Sequence, residues 1–221
     1  MGVIKKVRKF KAALERSQEM NLAPPLMSTI GRKHGLAGNM LLKEEEWQST
    51  FERCRPYIKD WSVGIDVGAR IGEFAYYMKD FDRVHSFEFR QGLKTQYMNR
   101  CKPNQKYTYT KIGISDHNGF EYTSSQRVGR IKGEGNLKIK TRTIDSYNFK
   151  NVGFIKLDVE GHEYKCVVGA ENTIKKYYPV MLVEQNKGNF SASDLLIKWG
   201  YEVVDKMHLG GMLHDYIMVK K

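Results

Sequence analysis

The sequence predicts an α/β fold, a mostly parallel sheet with crossover helices and a closing antiparallel hairpin. From residue 61 onward, short β-rich apolar runs alternate with helical ones, which is the pattern of strands linked by crossover helices. The run SVGIDV at 62–67 feeds directly into Gly68 and Gly72, a strand that ends in a glycine turn. The last two β-rich runs are joined by Gly210 and Gly211, a link too short for a crossover, so that pair is antiparallel and sits at the sheet edge.

The elements follow in order. Residues 62–67 read as a buried strand, 72–79 as a helix, 84–89 (VHSFEF) as a second strand and 91–101 as a second helix. Residues 107–115 (YTYTKIGIS) form a third strand. An excursion follows, with alternating polar and apolar residues at 119–124 and 137–143 joined by a link rich in glycine and charge. Residues 152–159 (VGFIKLDV) read as the next buried strand, 162–177 as a helix and 180–184 (VMLVE) as a strand. A helix at 191–199 and strands at 201–206 and 215–220 complete the chain.

The segment 1–60 has a different texture. It opens with Lys5, Lys6, Arg8, Lys9, Lys11 and Arg16 interleaved with Val3, Val7, Phe10, Ala13 and Leu14, breaks at Pro24-Pro25, and resumes as a helical run over 41–57. We expect a helical, basic N-terminal appendage over 1–60 and the main α/β domain over 61–221, a division that suits 221 residues. The basic helix suits contact with phosphates or an anionic surface, or a solvated cap with an apolar stripe on the domain.

Composition narrows the class. With 41% hydrophobic and 28% charged residues, 20 Gly and 5 Pro, a collagen-like, disulfide-scaffold or wholly disordered chain is excluded. The balance of 37 Lys and Arg against 25 Asp and Glu gives +12, which favours an anionic substrate or nucleic acid as partner. Cys54, Cys101 and Cys166 lack CxxC or zinc-ligand spacing, so a reduced, cytoplasmic setting and no metal are expected. No apolar stretch approaches the ~20 residues of a membrane-spanning helix.

Four strand ends carry the candidate chemistry. In IDVGARIG, Asp66 ends a buried strand, and glycines at 68 and 72 let a ligand approach the backbone at the start of a helix. The turn lacks both the GxGxxG and the P-loop spacing, which lowers the odds of an NAD enzyme or an NTPase; a tight turn without a ligand is the other reading. Glu88 ends the second strand about 20 residues later, where a carboxylate accepts hydrogen bonds from a ribose diol or is simply a solvated strand end. IKLDVEGHE brings Asp158, Glu160, His162 and Glu163 to a third strand end, and Glu184 in LVEQN reaches the same edge. His162 and Glu163 equally suit capping of the helix that follows.

This ordered set resembles the FkbM-type family of S-adenosylmethionine-dependent methyltransferases. It comprises DVGARIG, SFEF, a strand ending GISD, TRTID at 141–145, IKLDVEGHE, the GA of VVGAEN and LVE, and it spans about Val63 to Glu184. The resemblance implies a class I methyltransferase (Rossmann-like) fold, a sheet of seven strands with a C-terminal antiparallel hairpin, helices on both faces, and methyl transfer to a hydroxyl oxygen of a sugar, glycan or related metabolite. It implies that Asp66, Gly68, Ala69 and Gly72 hold the methionine part of S-adenosyl-L-methionine and that Glu88 takes the ribose. Ile114 and Asp116 would lie beside the adenine, Asp116 also fitting a turn with Asn118-Gly119, and Asp158 beneath the transferable methyl. Arg70 departs from the commoner pattern, where a small or polar residue stands.

Because the sulfonium is already a strong electrophile, the protein must align donor and acceptor, exclude water and accept one proton. Asp158, Glu160, His162 and Glu184 are the candidates for that last task. An RNA ribose 2′-O-methyltransferase is the main alternative, motivated by +12, by the basic helix from Lys5 to Arg16, by Arg127, Arg130 and Lys132, and by a Lys-Asp-Lys-Glu arrangement that Asp158, Glu184 and lysines such as Lys187 could assemble. Amino methylation of DNA is disfavoured, since no [DN]PP[FYW] element follows Asp158. A non-catalytic binding module would show degraded glycines or lack Glu88, and neither is seen.

Overall fold

The computed structural model describes residues 46–101, 106–123, 137–186, 190–210 and 213–221. The basic helix at 1–20, the glycine-rich link with Arg127, Arg130 and Lys132, and Lys187 lie outside the described residues. The chain divides into units at Ser49 and Thr50, and the second unit, Thr50–Lys221, holds every strand described below.

A helix, α1, covers residues 46–54. The other elements are β1 (Val63–Val67), β2 (Arg83–Phe87), α2 (Lys94–Cys101), β3 (Tyr107–Thr110), β4 (Gly113–Ile114), β5 (Gly119–Thr123) and β6 (Leu137–Arg142). Then come β7 (Val152–Leu157), α3 (Glu163–Val168), α4 (Glu171–Tyr177), β8 (Val180–Asn186), α5 (Ser191–Lys198), β9 (Tyr201–Gly210) and β10 (Leu213–Lys220). Seven strands form one sheet in the order β3-β2-β1-β7-β8-β10-β9, and β4, β6 and β5 form a second. In the large sheet β10 is antiparallel to both β8 and β9, while β1, β2, β3, β7 and β8 run parallel. β9 takes the edge and β10 lies inside it.

Every residue of β1 and β7 is buried, as a parallel sheet covered on both faces requires. One face presents Ile65, Val67, Ile155, Leu157, Met181 and Val183, which pack on Cys166, Val167, Ile174, Ala192 and Leu196 of α3, α4 and α5. The other face presents Phe154, whose ring meets Phe51 of α1, Phe74 and Phe81 at 5.8 to 6.1 Å between centroids. Each such aromatic pair adds about 0.5–1.5 kcal/mol beyond its buried area.

Three elements differ from those expected of the sequence. The helix expected at 72–79 is only a 3-10 turn, Ala75–Tyr77. Arg70 and Gly72 are both left-handed, and the short run that remains is rich in aromatic residues of modest helix propensity, too short to nucleate an α-helix before Phe74, Ala75 and Met78 are drawn into the core. The strand expected at 107–115 is two strands in two sheets, because the chain leaves the large sheet after Thr110 and Ile112 N–H donates to Glu88 O (3.1 Å). The helix expected at 162–177 breaks between α3 and α4 at Gly169-Ala170.

That break has a clear cause. A Cβ on Gly169 would stand 2.0 Å from Ser115 O, and Gly169 O accepts the N–H of Asp145 (3.0 Å). The carboxylate of Asp145 then accepts the N–H groups of Asn172 (2.9 Å) and Thr173 (2.8 Å), capping α4 from another part of the chain. The TID and GA elements therefore act in the scaffold. No helix among the described residues is long and apolar enough to cross a membrane.

Candidate active site

The strand order reverses between β1 and β7, which makes their C-terminal ends the switch point where open α/β sheets bind ligands. Gly68 follows β1 there with φ +82°, and its N–H and that of Ala69 donate to Phe87 O at 2.9 and 3.1 Å. A Cβ on Gly68 would stand 1.8 Å from Asp158 O. The glycine thus lets the turn lie directly against the end of β7. Beyond it, Arg70 N–H donates to Glu88 Oε2 (3.0 Å), Ile71 N–H to Glu73 Oε2 (3.3 Å) and Gly72 N–H to Ala69 O (2.7 Å). The turn's donors are thus engaged within the protein, and no α-helix start replaces them.

Glu88 is buried at the end of β2. Its Oε1 accepts Arg90 N–H (2.8 Å) and Nε (3.0 Å), and its Oε2 accepts Arg70 N–H (3.0 Å) and Arg90 Nη2 (2.7 Å). Those four donors fill the carboxylate's lone-pair sites. A diol reaches Glu88 only if the Arg90 guanidinium, which is partly exposed, gives way.

Next to the turn lies an ion triad that sequence reasoning missed. Asp66 pairs in register with Lys156 across β1 and β7, so both side chains share the face covered by α1. Lys156 Nζ lies 3.3 Å from Asp66 Oδ1 and 3.2 Å from Asp158 Oδ2. Burial works against its charge, but Asp158 and Asp66 outweigh it and hold the ammonium above its ordinary range. Burial also pushes the Asp66 carboxyl up, with Lys156 opposing. The available signal was a lysine inside the apolar run VGFIKLDV.

The strand expected over 180–184 runs on to Asn186, so Glu184 lies inside β8, opposite Asp215 of β10. Its residue exposure is 6%, and Oε2 has no hydrogen-bond partner among the described residues. Burial first, then Asp158, Glu160, Glu163 and Asp215, push its carboxyl up to about 9. Raised above its value in the unfolded chain, it keeps its proton in the fold while the unfolded chain loses one, so stability falls as pH rises from about 4.5 toward 9. Glu184→Gln is expected to raise the urea midpoint at pH 8 and to leave it nearly unchanged at pH 4.5. Equal gains at both pH values would refute the assignment.

The remaining candidates separate. Glu160 is exposed and left-handed (φ 58°) in the loop after β7. Glu163 is buried and accepts the N–H groups of Val159 (3.1 Å) and Gly161 (2.9 Å), so it braces that loop. His162 is buried, its Nε2 standing 3.1 Å from Ser115 Oγ. Ile114 is buried in the core, and Asp116 meets Ser115 Oγ (3.1 Å) and His117 Nδ1 (2.7 Å). Burial would raise the Asp116 carboxyl, but His117 and Ser115 outweigh it and hold it low.

Asp116, His117 and Glu121 offer ligand atoms within 4.8 Å of one another, the one such group among the described residues. Glu121 there is already ion-paired with Lys165 at 2.5 Å. A cavity of about 450 Å³ lined by Tyr57, Lys59, Tyr178 and Lys220 lies at the opposite, N-terminal edge of the sheet. It touches none of the candidate residues.

Residues 66–208 match the family model described as the methyltransferase FkbM domain. No curated protein matches significantly. Among solved structures, the methyltransferase FkbM from Methylobacillus flagellatus KT aligns at 19% identity and TM-score 0.52, over 72% of this chain and 43% of that one. The chain thus spans less than half the length of that structure. Streptococcus pneumoniae Sp1610, described as a candidate tRNA (m1A22) methyltransferase, aligns at 9% identity and TM-score 0.50, over 77% of this chain and 68% of that one. TrmK of M. capricolum, in complex with S-adenosyl-homocysteine, aligns at 8% identity and TM-score 0.49, over 77% and 66%. At such identities the likenesses to the first two structures bear on the fold alone.

Proposed function

We propose that this chain, which belongs to the FkbM methyltransferase family, transfers a methyl group from S-adenosylmethionine to a hydroxyl of a sugar, glycan or related metabolite. The observation that carries the reading is the meeting of Gly68, Asp66 and Asp158 at the switch point, with Glu88 ending the neighbouring strand. The residues fit the cofactor on one condition: Glu88 is a buried carboxylate one strand from the glycine turn, and the partly exposed Arg90 guanidinium that now fills it must give way to the diol.

In this reading Asp66, Gly68, Ala69 and Gly72 hold the amino-acid end, Glu88 the ribose, and Ile114 and Asp116 flank the base. The cofactor supplies an electrophilic methyl. Lys156 Nζ, 3.2 Å from Asp158 Oδ2, fixes that carboxylate in direction, so Asp158 orients the acceptor hydroxyl. Glu160 and His162 serve as proton acceptors, His162 acting through Ser115; Glu184, which keeps its proton in the fold, accepts one only after it has given that proton up. Residues 61–221 carry the reaction, and the basic segment 1–60 is accessory.

Titration calorimetry with S-adenosylhomocysteine tests the cofactor site. Wild type is expected to bind in the micromolar range, Glu88→Ala to lose at least 100-fold, and Arg90→Ala to bind as tightly or tighter. Undiminished binding by Glu88→Ala would remove Glu88 from the site. Labelled methyl transfer to a panel of sugars, glycans and RNA then reads the acceptor. Full activity in both Asp158→Asn and Glu160→Gln would sink their roles, and salt-sensitive incorporation into RNA alone would replace the sugar reading.

A further inference from the structure

The sheet register lines up one row of side chains on the face covered by α1. Val67 pairs with Leu157, and Leu157 with Val183, so the next positions, Gly68, Asp158 and Glu184, stand side by side. Glu184 pairs directly with Asp215, and Asp215 with Met207 of β9. Residues paired across strands project to the same face. The row therefore reads Gly68, Asp158, Glu184, Asp215, Met207, and it leads away from the glycine turn along the sheet edge.

Three neighbouring carboxylates on this row, with Asp66 one step below, share a face with the ammonium of Lys156. Glu184 and Asp215 are both more than nine-tenths buried, and Glu184 Oε2 lacks a hydrogen-bond partner among the described residues. A buried carboxylate in this state calls for a proton, a metal or a cationic ligand. These carboxylates do not form a group with metal-ligand spacing, which Asp116, His117 and Glu121 alone do among the described residues. A phosphate beside the row meets like charge. A hydroxyl supplies one hydrogen bond, whereas an ammonium supplies three donors and a charge.

Resting on the methyl-transfer reading, we infer that Asp158, Glu184 and Asp215 form an ammonium subsite at the acceptor end, so that the acceptor molecule carries a protonated amine near the atom that receives the methyl. The elevated carboxyl of Glu184 agrees with this, since an arriving ammonium displaces the proton that the row otherwise holds. The overall charge of +12 makes the inference discriminating: cations are repelled by the molecule as a whole, so capture of one reports a local site.

The Met207 methyl, at the end of the row, is the reporter. Full-length protein labelled at methionine methyl groups, with and without S-adenosylhomocysteine, is titrated with 2-aminoethanol, with its neutral isostere ethylene glycol, and with magnesium chloride. The expected result is a saturable shift of Met207 by 2-aminoethanol at a concentration at least tenfold below that of ethylene glycol. That preference falls to twofold or less in Glu184→Gln and in Asp215→Asn, and persists in Glu171→Gln, a distant exposed carboxylate paired with Lys175. Equal responses, no response to the amine, a preference that survives both variants, or a response to magnesium alone would each overturn the subsite. Amine preference without S-adenosylhomocysteine binding would instead overturn methyl transfer and leave the subsite standing.

Discussion

Gly68→Ala is expected to destabilise the fold by about 2–4 kcal/mol and to abolish S-adenosylhomocysteine binding. Two costs combine. The backbone at Gly68 has φ +82°, a conformation that costs an L-residue about 1 kcal/mol. The new methyl would also stand 1.8 Å from Asp158 O, a backbone atom that cannot rotate aside. Relief requires the turn and the end of β7 to part, which separates Asp66, Asp158 and Lys156. Gly92→Ala is the control, because Gly92 has φ +78° with nothing within 4 Å of its would-be Cβ. It carries the conformational cost alone, about 1 kcal/mol, and should keep ligand binding. Urea denaturation and calorimetry on the two variants separate these contributions. Equal losses would mean that the approach to Asp158 is not what demands glycine.

Lys156→Met is expected to cost about 3–5 kcal/mol at pH 8, since it strands the fully buried Asp66 carboxylate and leaves Asp158 without its ion-pair partner. Asp66 is fully buried, and without its partner its carboxyl rises further above the unfolded value. A raised carboxyl gives relative stability at low pH that is lost as pH climbs through the folded value, so the deficit should shrink toward pH 5. Adding Asp66→Asn removes one stranded charge and should recover about 1–3 kcal/mol. Urea midpoints of wild type, single and double variants at pH 5 and 8 provide the check. A loss independent of pH and unrelieved by Asp66→Asn would show that Lys156 contributes by packing against Phe74, whose ring centroid lies 5.5 Å from Nζ.

Much of the site was legible because strand ends are local features. Asp66, Glu88, Asp158 and Glu184 each terminate an apolar run, and position at the C-terminal edge follows from the run itself. The glycine turn was legible for the same reason. Lys156 was passed over because a lysine in an apolar strand looks like a defect until its partner on the next strand is known. Asp215 was invisible as a site residue, since only its pairing with Glu184 brings it to the row. His162 showed the converse: it stands beside Asp158 and Glu160 in sequence, yet it turns toward Ser115.

By itself the sequence determined the alternation of strands and helices, the glycine at 68, the antiparallel closing pair and the carboxylates that end the strands. Each of these depends on a few consecutive residues and their periodicity. Tertiary structure alone decided that 72–79 carries no α-helix, that Gly169 divides α3 from α4 against Ser115, and that β10 enters between β8 and β9. It also decided which charges meet: Lys156 with Asp66 and Asp158, Arg90 with Glu88, Glu184 with Asp215. The reason is register. Which side chain stands opposite another is set by hydrogen bonding between strands distant in the chain, and the electrostatics of a buried group depend on those neighbours more than on its own residue type.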